Sequence, residues 1–240
     1  MNRLPIGTFV NMTTVVLGSL LGLALQKVFP PNLEAIIFQA IGLGTIVIGI
    51  SMSLKIPPGY LLTFIFCLIL GGITGELIGL QNGLFQLGDL VKAGLGIEDS
   101  QFTTGLITAF LLFCIGSVTI VGAIEEGIQG KRELLYIKST LDGITSVAFA
   151  ATYGIGVLFS IFPMLIFQGG ITILAGSAER FFTQTRIDFV SAVGGVLIIG
   201  VGINMLDLGV INLENLLPAI VFALLLGPLQ EWVQARWFSA

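Results

Sequence analysis

The sequence contains no histidine and only two cysteines, Cys67 and Cys114, both of which lie in apolar stretches. Zinc and copper sites are built from imidazole and thiolate ligands, so a chain of this composition argues against such a metal centre. A Ser-His-Asp or Cys-His nucleophile cannot be assembled either. We therefore expect no enzymatic activity and no cofactor.

Charge is also scarce: 10% of the residues are charged, whereas a soluble domain carries about 25%. Hydrophobic residues make up 55% of the chain, and the mean hydropathy is +1.03. Such a sequence cannot cover a globule with polar surface, and it has no basic, aromatic-rich face for nucleic acid. The composition predicts a single integral membrane domain over 1–240 whose main partner is the lipid bilayer. The 32 glycines favour close helix packing in lipid.

The apolar stretches predict an all-α polytopic fold. A membrane-spanning helix needs about 20 apolar residues. Between Asp142 and Glu179 the uncharged stretch is too long for one straight helix, and Pro163 favours a break just before it. Dividing it there gives about eight transmembrane helices, at 7–26, 34–54, 60–80, 103–124, 141–160, 163–178, 189–206 and 213–230. In addition, Leu84, Leu87, Val91 and Leu95 predict a short interfacial helix within 81–102.

The placement of Lys and Arg tests this division. With eight spans, one side collects Arg3, Lys55, Lys131, Arg132, Lys138, Arg180, Arg186 and Arg236, and the other holds only Lys27 and Lys92. Merging the long stretch into one span gives five on each side. Because cytoplasmic loops are rich in Lys and Arg, the eight-span division is favoured, with both termini in the cytoplasm.

A weak internal repeat relates the two ends of the chain. A shift of 153 residues aligns Phe29, Gly42, Gly49, Ile50 and Met52 with Phe182, Gly195, Gly202, Ile203 and Met205. Two further residues of shift align Leu70, Gly72 and Glu76 with Leu225, Gly227 and Glu231. The pattern equates spans 1–3 with spans 6–8, in a first repeat at 1–80 and a second repeat at 163–235 around central helices at 103–160. Since equivalent spans are offset by five, an odd number, the second copy is inverted, as in many secondary transporters.

Polar side chains inside the predicted spans mark the candidate site, because burying them in lipid is costly. Asn11, Gln39, Gln168 and Asn204 carry amides that one helix cannot satisfy, and they serve either as a substrate site or as interhelical hydrogen bonds. Asp142 is either a shallow cation or proton site or a carboxylate in the first helical turn, where the helix dipole and Lys138 stabilise it. We predict that Asn11, Gln39, Asp142, Gln168 and Asn204 bind the substrate.

These side chains favour a small polar solute, carried with a cation or proton. A multiply charged anion fits poorly, because no Lys or Arg is expected to be buried beside them. Glu125 and Glu126 are expected to be solvated beside a basic loop. Gly71, Gly75 and Gly79 form a small-residue face that suits internal packing or a homodimer, and we favour the homodimer.

Several motifs resemble a known family. The stretch LLFCIGSVTIVGAIEEGIQGKRELLYIKSTLDGITSVAFAATYGIGVLFS at 111–160 is similar to the YqgA/YdfK-type family of bacterial inner-membrane proteins. GTFVN at 7–11, QAIGLGTIVIGISM at 39–52, GGITGE at 71–76, FQGGITILA at 167–175 and NLLPA at 215–219 resemble it too. The resemblance covers essentially the whole chain. It implies a multi-pass protein of the bacterial plasma membrane to which transport is often attributed, without an established substrate.

The sequence as a whole favours a secondary transporter or permease for a small polar solute. The alternative is a membrane scaffold or regulatory protein without transport activity. A transporter requires a polar, water-accessible cavity between the two copies, whereas a scaffold requires only a dry bundle with paired polar groups.

Overall fold

All regular secondary structure in the described residues is helical, and no strand occurs among them. The computed structural model describes residues 4–26, 31–114, 117–175 and 181–237. The helices are α1 (Ile6–Leu25), α2 (Pro31–Ser53), α3 (Leu61–Leu77), α4 (Leu80–Gly94), α5 (Phe102–Cys114), α6 (Ser117–Gln129), α7 (Glu133–Tyr153), α8 (Gly156–Phe159), α9 (Ile161–Met164), a π-helical turn (Leu165–Gly169), α10 (Gly170–Ala175), α11 (Gln184–Met205), α12 (Leu213–Leu216) and α13 (Pro218–Trp237).

Within this part of the chain, four helical segments are long and apolar enough to cross a membrane. They are Ile6–Leu25, Gly156–Ala175, Gln184–Met205 and Leu213–Arg236. Two further pairs reach the required length only as bent units: α3 with α4, bent by 57°, and α5 with α6, bent by 69°. Counting each bent pair as one span gives up to six candidate spans. Their outer surface carries many exposed large apolar side chains, such as Leu17, Leu62 and Ile166, as expected for a surface that faces lipid.

The described part of each predicted span is largely helical, but the predicted span at 103–124 is divided between the bent helices α5 and α6, and the one at 141–160 crosses the break between α7 and α8. Helix α7 begins at Glu133 rather than near 141, and it ends at Gly154, whose φ of +72° favours glycine. The predicted break before Pro163 is therefore wrong as a chain reversal. Pro163 lies in the first turn of α9, where proline is tolerated because its missing N–H has no intrahelical acceptor. The segment then continues through the π-helical turn to Ala175.

Helices α1 and α7 run in the same direction and touch along their backbones. Gly7 lies against Leu135, Gly18 against Gly143, and Gly22 against Val147, so residue numbers rise together along both helices. A Cβ on Gly18 would overlap with the carbonyl oxygen of Gly143. Small residues at this interface therefore allow a closer approach than larger side chains would permit.

Helices α2 and α11 form a second close pair but run in opposite directions. A Cβ on Gly49 would lie 2.7 Å from the carbonyl oxygen of Gly195, and a Cβ on Gly195 would lie 2.7 Å from that of Gly49. Near the other end of the pair, a Cβ on Gly202 would lie 2.8 Å from the carbonyl oxygen of Gly42. Residue numbers therefore increase along α2 in the direction in which they decrease along α11.

Helices α3 and α13 form a third pair, which is also antiparallel. Gly71 packs against Ala219, and the Thr63 hydroxyl donates to Oε1 of Gln230 at 3.0 Å. Gly75, on the same face of α3, packs against the backbone of Asn215, just before α13. Gly71 and Gly75 therefore serve internal packing, whereas nothing lies within 4 Å of a Cβ added at Gly79. The homodimer stays a prediction.

The antiparallel contact between α2 and α11 predicts different effects for two glycines of the same helix. We expect Gly49→Ala to lower the free energy of unfolding by about 1–3 kcal/mol, because the added methyl group must displace the α11 backbone. Gly44→Ala is the matched control, since no atom lies within 4 Å of its added Cβ. It should leave stability unchanged or raise it slightly through helix propensity. Thermal unfolding of the purified protein measures both variants, and equal effects would contradict this packing.

Candidate functional site

The centre of α7 carries a buried ion pair. Asp142 is the tenth of the 21 residues of this helix, about 14 Å from its first residue. Its Oδ2 atom accepts hydrogen bonds from Nζ of Lys138, one turn earlier, and from Nδ2 of Asn11 on α1 at 2.9 Å. Lys138 and Asp142 are 6% and 8% exposed. The prediction that Asp142 lies in the first turn of its helix is therefore wrong, because α7 begins nine residues before it.

Two fully buried amides support the ion pair from one side. The Asn11 Nδ2 atom donates both to Asp142 and to Oε1 of Gln168, the latter at 3.1 Å. Gln168 lies in the π-helical turn, which replaces one regular turn of helix at this point. Within the described residues, Asn11 Oδ1 and Gln168 Nε2 have no hydrogen-bond partner. A buried polar atom without a partner is costly, and a water molecule, an ion or a ligand can provide the missing hydrogen bond.

A cavity of about 300 Å³ lies on the other side of the ion pair. Its wall is largely apolar, and its polar groups are Lys138, Asp142 and three threonines, Thr45, Thr119 and Thr145. The remaining lining residues come from α2, α5, α6, α7 and α11: Ile41, Gly44, Ile48, Met52, Leu112, Phe113, Val118, Leu141 and Ile198. The amides of Asn11 and Gln168 lie behind Asp142 and are not part of this lining. They are therefore placed to orient the carboxylate that faces the cavity.

The structure brings together three of the five predicted site residues, Asn11, Asp142 and Gln168, and leaves two apart from them. Gln39 is exposed on α2. Asn204, near the end of α11, uses its side chain to close the following loop: Nδ2 donates to the carbonyl oxygen of Ile211, and Oδ1 accepts from the Ile211 amide, each at 2.8 Å.

Lys138 was not among the predicted site residues, although it is central to the cluster. The sequence prediction places Lys138 in a cytoplasmic loop, because the uncharged stretch that defines its helix begins only near 141. The helix instead begins at Glu133, so Lys138 is buried beside the amides. The expectation that no Lys or Arg is buried there is wrong, and the argument against an anionic group in the solute loses its premise. The four-residue spacing of Lys138 and Asp142 is the sequence signal that pointed to this pair.

The prediction that Glu126 is solvated is also wrong, because Glu126 is fully buried in the last turn of α6. Its Oε1 atom accepts from the backbone N–H of Gly7 at 2.9 Å and from Nε of Arg132 at 2.7 Å. Gly7 is in the first turn of α1, so this carboxylate satisfies a free N–H group at a helix N-terminus, where the helix dipole favours negative charge. The hydrogen bond that Arg132 donates to Glu126 raises the pKa of the Arg132 guanidinium group.

Among the described residues, no three Cys, Asp or Glu side chains are close enough to hold a metal ion. The chemistry offered by the cavity is thus one ammonium group, one carboxylate and several hydroxyls, set in an apolar wall. Such a site can bind and orient a small solute by charge and hydrogen bonding.

The fold and the site together define a polytopic helical membrane protein with an ion pair buried at mid-helix. The chain belongs to the family described as "Protein of unknown function (DUF554)", whose profile matches residues 6–227. The expected family resemblance is thereby confirmed.

Two relatives cover nearly the whole chain. It is 32% identical to "Uncharacterized membrane protein YdfK" of Bacillus subtilis (strain 168), over 90% of this chain and 92% of the relative. It is 29% identical to "Uncharacterized protein YqgA" of Escherichia coli (strain K12), over 98% and 99% of the two chains. No solved structure matches the fold.

Proposed function

We propose that this protein is a secondary transporter or permease that moves a small polar solute across the bacterial plasma membrane. The observation that carries the proposal is the cavity whose wall contains the buried pair of Lys138 and Asp142. Ionisable residues within membrane helices are costly and typically mark a substrate or ion pathway. Within the described part of the chain, Asn11 Oδ1 and Gln168 Nε2, which lie beside Asp142, have no hydrogen-bond partner, whereas we expect a dry scaffold to pair its polar groups. Transport of this kind needs no covalent chemistry.

The proposal includes eight membrane crossings with both termini in the cytoplasm. The helix directions support this number. Eight alternating crossings make the first and fifth spans parallel, whereas the second and seventh, and the third and eighth, are antiparallel. The contacts of α1 with α7, α2 with α11 and α3 with α13 have these directions.

The charge distribution supports the same topology, after a change in the count. Arg3, Arg180 and Lys27 lie outside the described residues, and Lys138 lies within α7 rather than in a loop. The remaining cations of the proposed cytoplasmic side are Lys55, Lys131, Arg132, Arg186 and Arg236, against Lys92 on the outer side. The excess of positive charge still favours cytoplasmic termini.

The proposal further includes an inverted repeat of spans 1–3 and 6–8. In the alignment, Gly42 corresponds to Gly195 and Gly49 to Gly202. In the fold, Gly42 contacts Gly202 and Gly49 contacts Gly195. If two elements are related by a two-fold axis, a contact between i and the copy of j implies one between j and the copy of i. The glycine contacts have this reciprocal pattern, which supports the repeat.

Helices α3 and α13 provide a second reciprocal pair. Under the shift of 155 residues, Glu76 corresponds to Glu231 and Tyr60 to Asn215. Asn215 Nδ2 donates to Oε2 of Glu76 at 2.6 Å, and Tyr60 lines the same surface pocket as Glu231. The alignment of Phe29 with Phe182 involves a residue outside the described part of the chain.

The topology predicts on which side of the membrane each of three reporters lies. A reporter fused after Ala240 should report the cytoplasm, and one inserted in the loop at 96–100 should report the opposite side. An insertion in the loop at 206–212 should agree with the second reporter, because four spans, an even number, separate the two outer loops. If the reporters at 96–100 and after Ala240 lie on the same side, the eight-span topology is wrong.

The transport proposal predicts that water reaches the cavity from both sides of the membrane. Thr145→Cys, which lines the cavity, should react with a charged, membrane-impermeant thiol reagent in both right-side-out and inside-out vesicles. Ile144→Cys is the matched control, because Ile144 is the adjacent residue of α7, is 66% exposed and does not line the cavity. Its thiol faces lipid, where a charged reagent does not enter.

The native Cys67 and Cys114 are buried, and the unmodified chain provides their background reactivity. Labelling of Thr145→Cys from one side alone, or no faster than Ile144→Cys from either side, would contradict transport. The latter result would favour a scaffold.

A further inference from the structure

We infer that the solute taken by this cavity is a zwitterion, with one ammonium group and one carboxylate, of the size of an amino acid. This inference rests on the transport site proposed above and names its substrate class. It is based on the charges in the cavity wall, on the way the two charged side chains are held, and on the size and polarity of the remaining wall.

The charge balance of the cavity favours a solute without net charge. Its wall contains one cation and one anion, Lys138 and Asp142, which neutralise each other. A solute with a single charge would leave one charge in excess in an apolar surrounding, at a large desolvation cost. A fully apolar solute would not use the charged pair. A zwitterion adds no net charge, and each of its two groups has a partner in the wall.

The two charged side chains are held unequally. Asp142 is fixed by the amide of Asn11, which is itself bonded to Gln168. All the hydrogen bonds to Asp142 within the described residues go to Oδ2, so Oδ1 has no donor there. Lys138, by contrast, has a flexible four-carbon side chain and three donors.

This difference gives a binding geometry in which the charges alternate. The ammonium group of the solute binds the fixed carboxylate of Asp142. Its carboxylate binds Nζ of Lys138, which follows it by rotation of the side chain. The hydroxyls of Thr45 and Thr145, in the same wall, are available as further hydrogen-bond donors. The ion pair is thus replaced by two solute contacts, so no charge is left unpaired.

The size and polarity of the cavity limit the rest of the solute. A volume of about 300 Å³ is at the lower end of the range for small-molecule sites. The wall beyond the charged groups consists mainly of aliphatic side chains, such as Ile41, Ile48, Leu112 and Ile198. These side chains fit an apolar substituent on the zwitterion and offer no partner for a third charge.

The test compares each amino acid with the amine that lacks its carboxylate and with the acid that lacks its ammonium group. Thermal unfolding of the purified full-length protein is measured with alanine, ethylamine and propionate, and with leucine, 3-methylbutylamine and 4-methylpentanoate. We expect at least one zwitterion to raise Tm by about 2–4 °C in a concentration-dependent manner, because ligand binding stabilises the folded state. The corresponding amine and the corresponding acid should have no such effect on Tm.

The variants locate the response. Lys138→Met/Asp142→Asn removes both charges without leaving either unpaired and should abolish the shift, whereas Glu125→Gln, outside the cavity, should retain it. If the double variant does not fold, the six-solute comparison on the unmodified protein decides the question alone. Stabilisation by an amine alone, by an acid alone or by none of the solutes would overturn the zwitterion. If no solute raises Tm but Thr145→Cys is labelled from both sides, the zwitterion is overturned and the transport proposal is not. If a zwitterion raises Tm but labelling from both sides is absent, the cavity binds the solute without transporting it.

Discussion

The ion pair between Lys138 and Asp142 sets the main constraint on this structure, because two charges in an apolar helical protein must be neutralised and hydrogen-bonded where they lie. The close contact of α1 with α7 meets this requirement. Small residues at Gly18 and Gly22 let α1 approach the α7 backbone, and this approach places Asn11 within 2.9 Å of Asp142. Gln168 completes the support from a third segment.

The same constraint connects the cavity to the rest of the fold. The cavity lies where the antiparallel pair α2 and α11 meets the central helices α5, α6 and α7. The glycine contacts between α2 and α11 bring their backbones together, and Ile48 and Ile198 from these two helices form part of the cavity wall. The inverted repeat that we propose places a transport site at such a junction between its two copies. The N-terminus of α1 is held separately, because the carboxylate of Glu126 accepts a hydrogen bond from the Gly7 N–H group.

Much of the fold could be predicted from sequence, because long apolar runs are a strong signal for membrane helices. The family and the helical class are confirmed, whereas the described residues contain four to six candidate spans rather than a confirmed eight. The errors have a common physical cause. Helix α7 carries charge inside the protein, so a search for uncharged runs begins it too late and assigns Lys138 to a loop. Pro163 is a weaker break than Gly154, since proline is compatible with a first helical turn whereas a positive φ ends the helix.

The candidate site was predictable only in part, for a related reason. Asn11 and Gln168 were recognisable because an amide in a membrane helix needs a partner, but sequence does not say which amides share one. Asn204 satisfies its amide locally, on the backbone of Ile211, and this local solution has no distinct sequence signal. Glu126 lies near Lys131 and Arg132 in sequence, which predicts a solvated carboxylate. Its second partner, Gly7, is 119 residues away, and sequence gives no signal for that contact.

The stability of a charge-neutralising double variant tests the central claim most directly, namely that Lys138 and Asp142 act as one neutral unit. Lys138→Met leaves a buried carboxylate unpaired, and Asp142→Asn leaves a buried ammonium group unpaired, so each should lower the free energy of unfolding by about 3–5 kcal/mol. The double variant retains an acceptor for Asn11 and buries no unpaired charge. We expect it to be more stable than either single variant. A double variant that loses the sum of the two single effects would contradict the account.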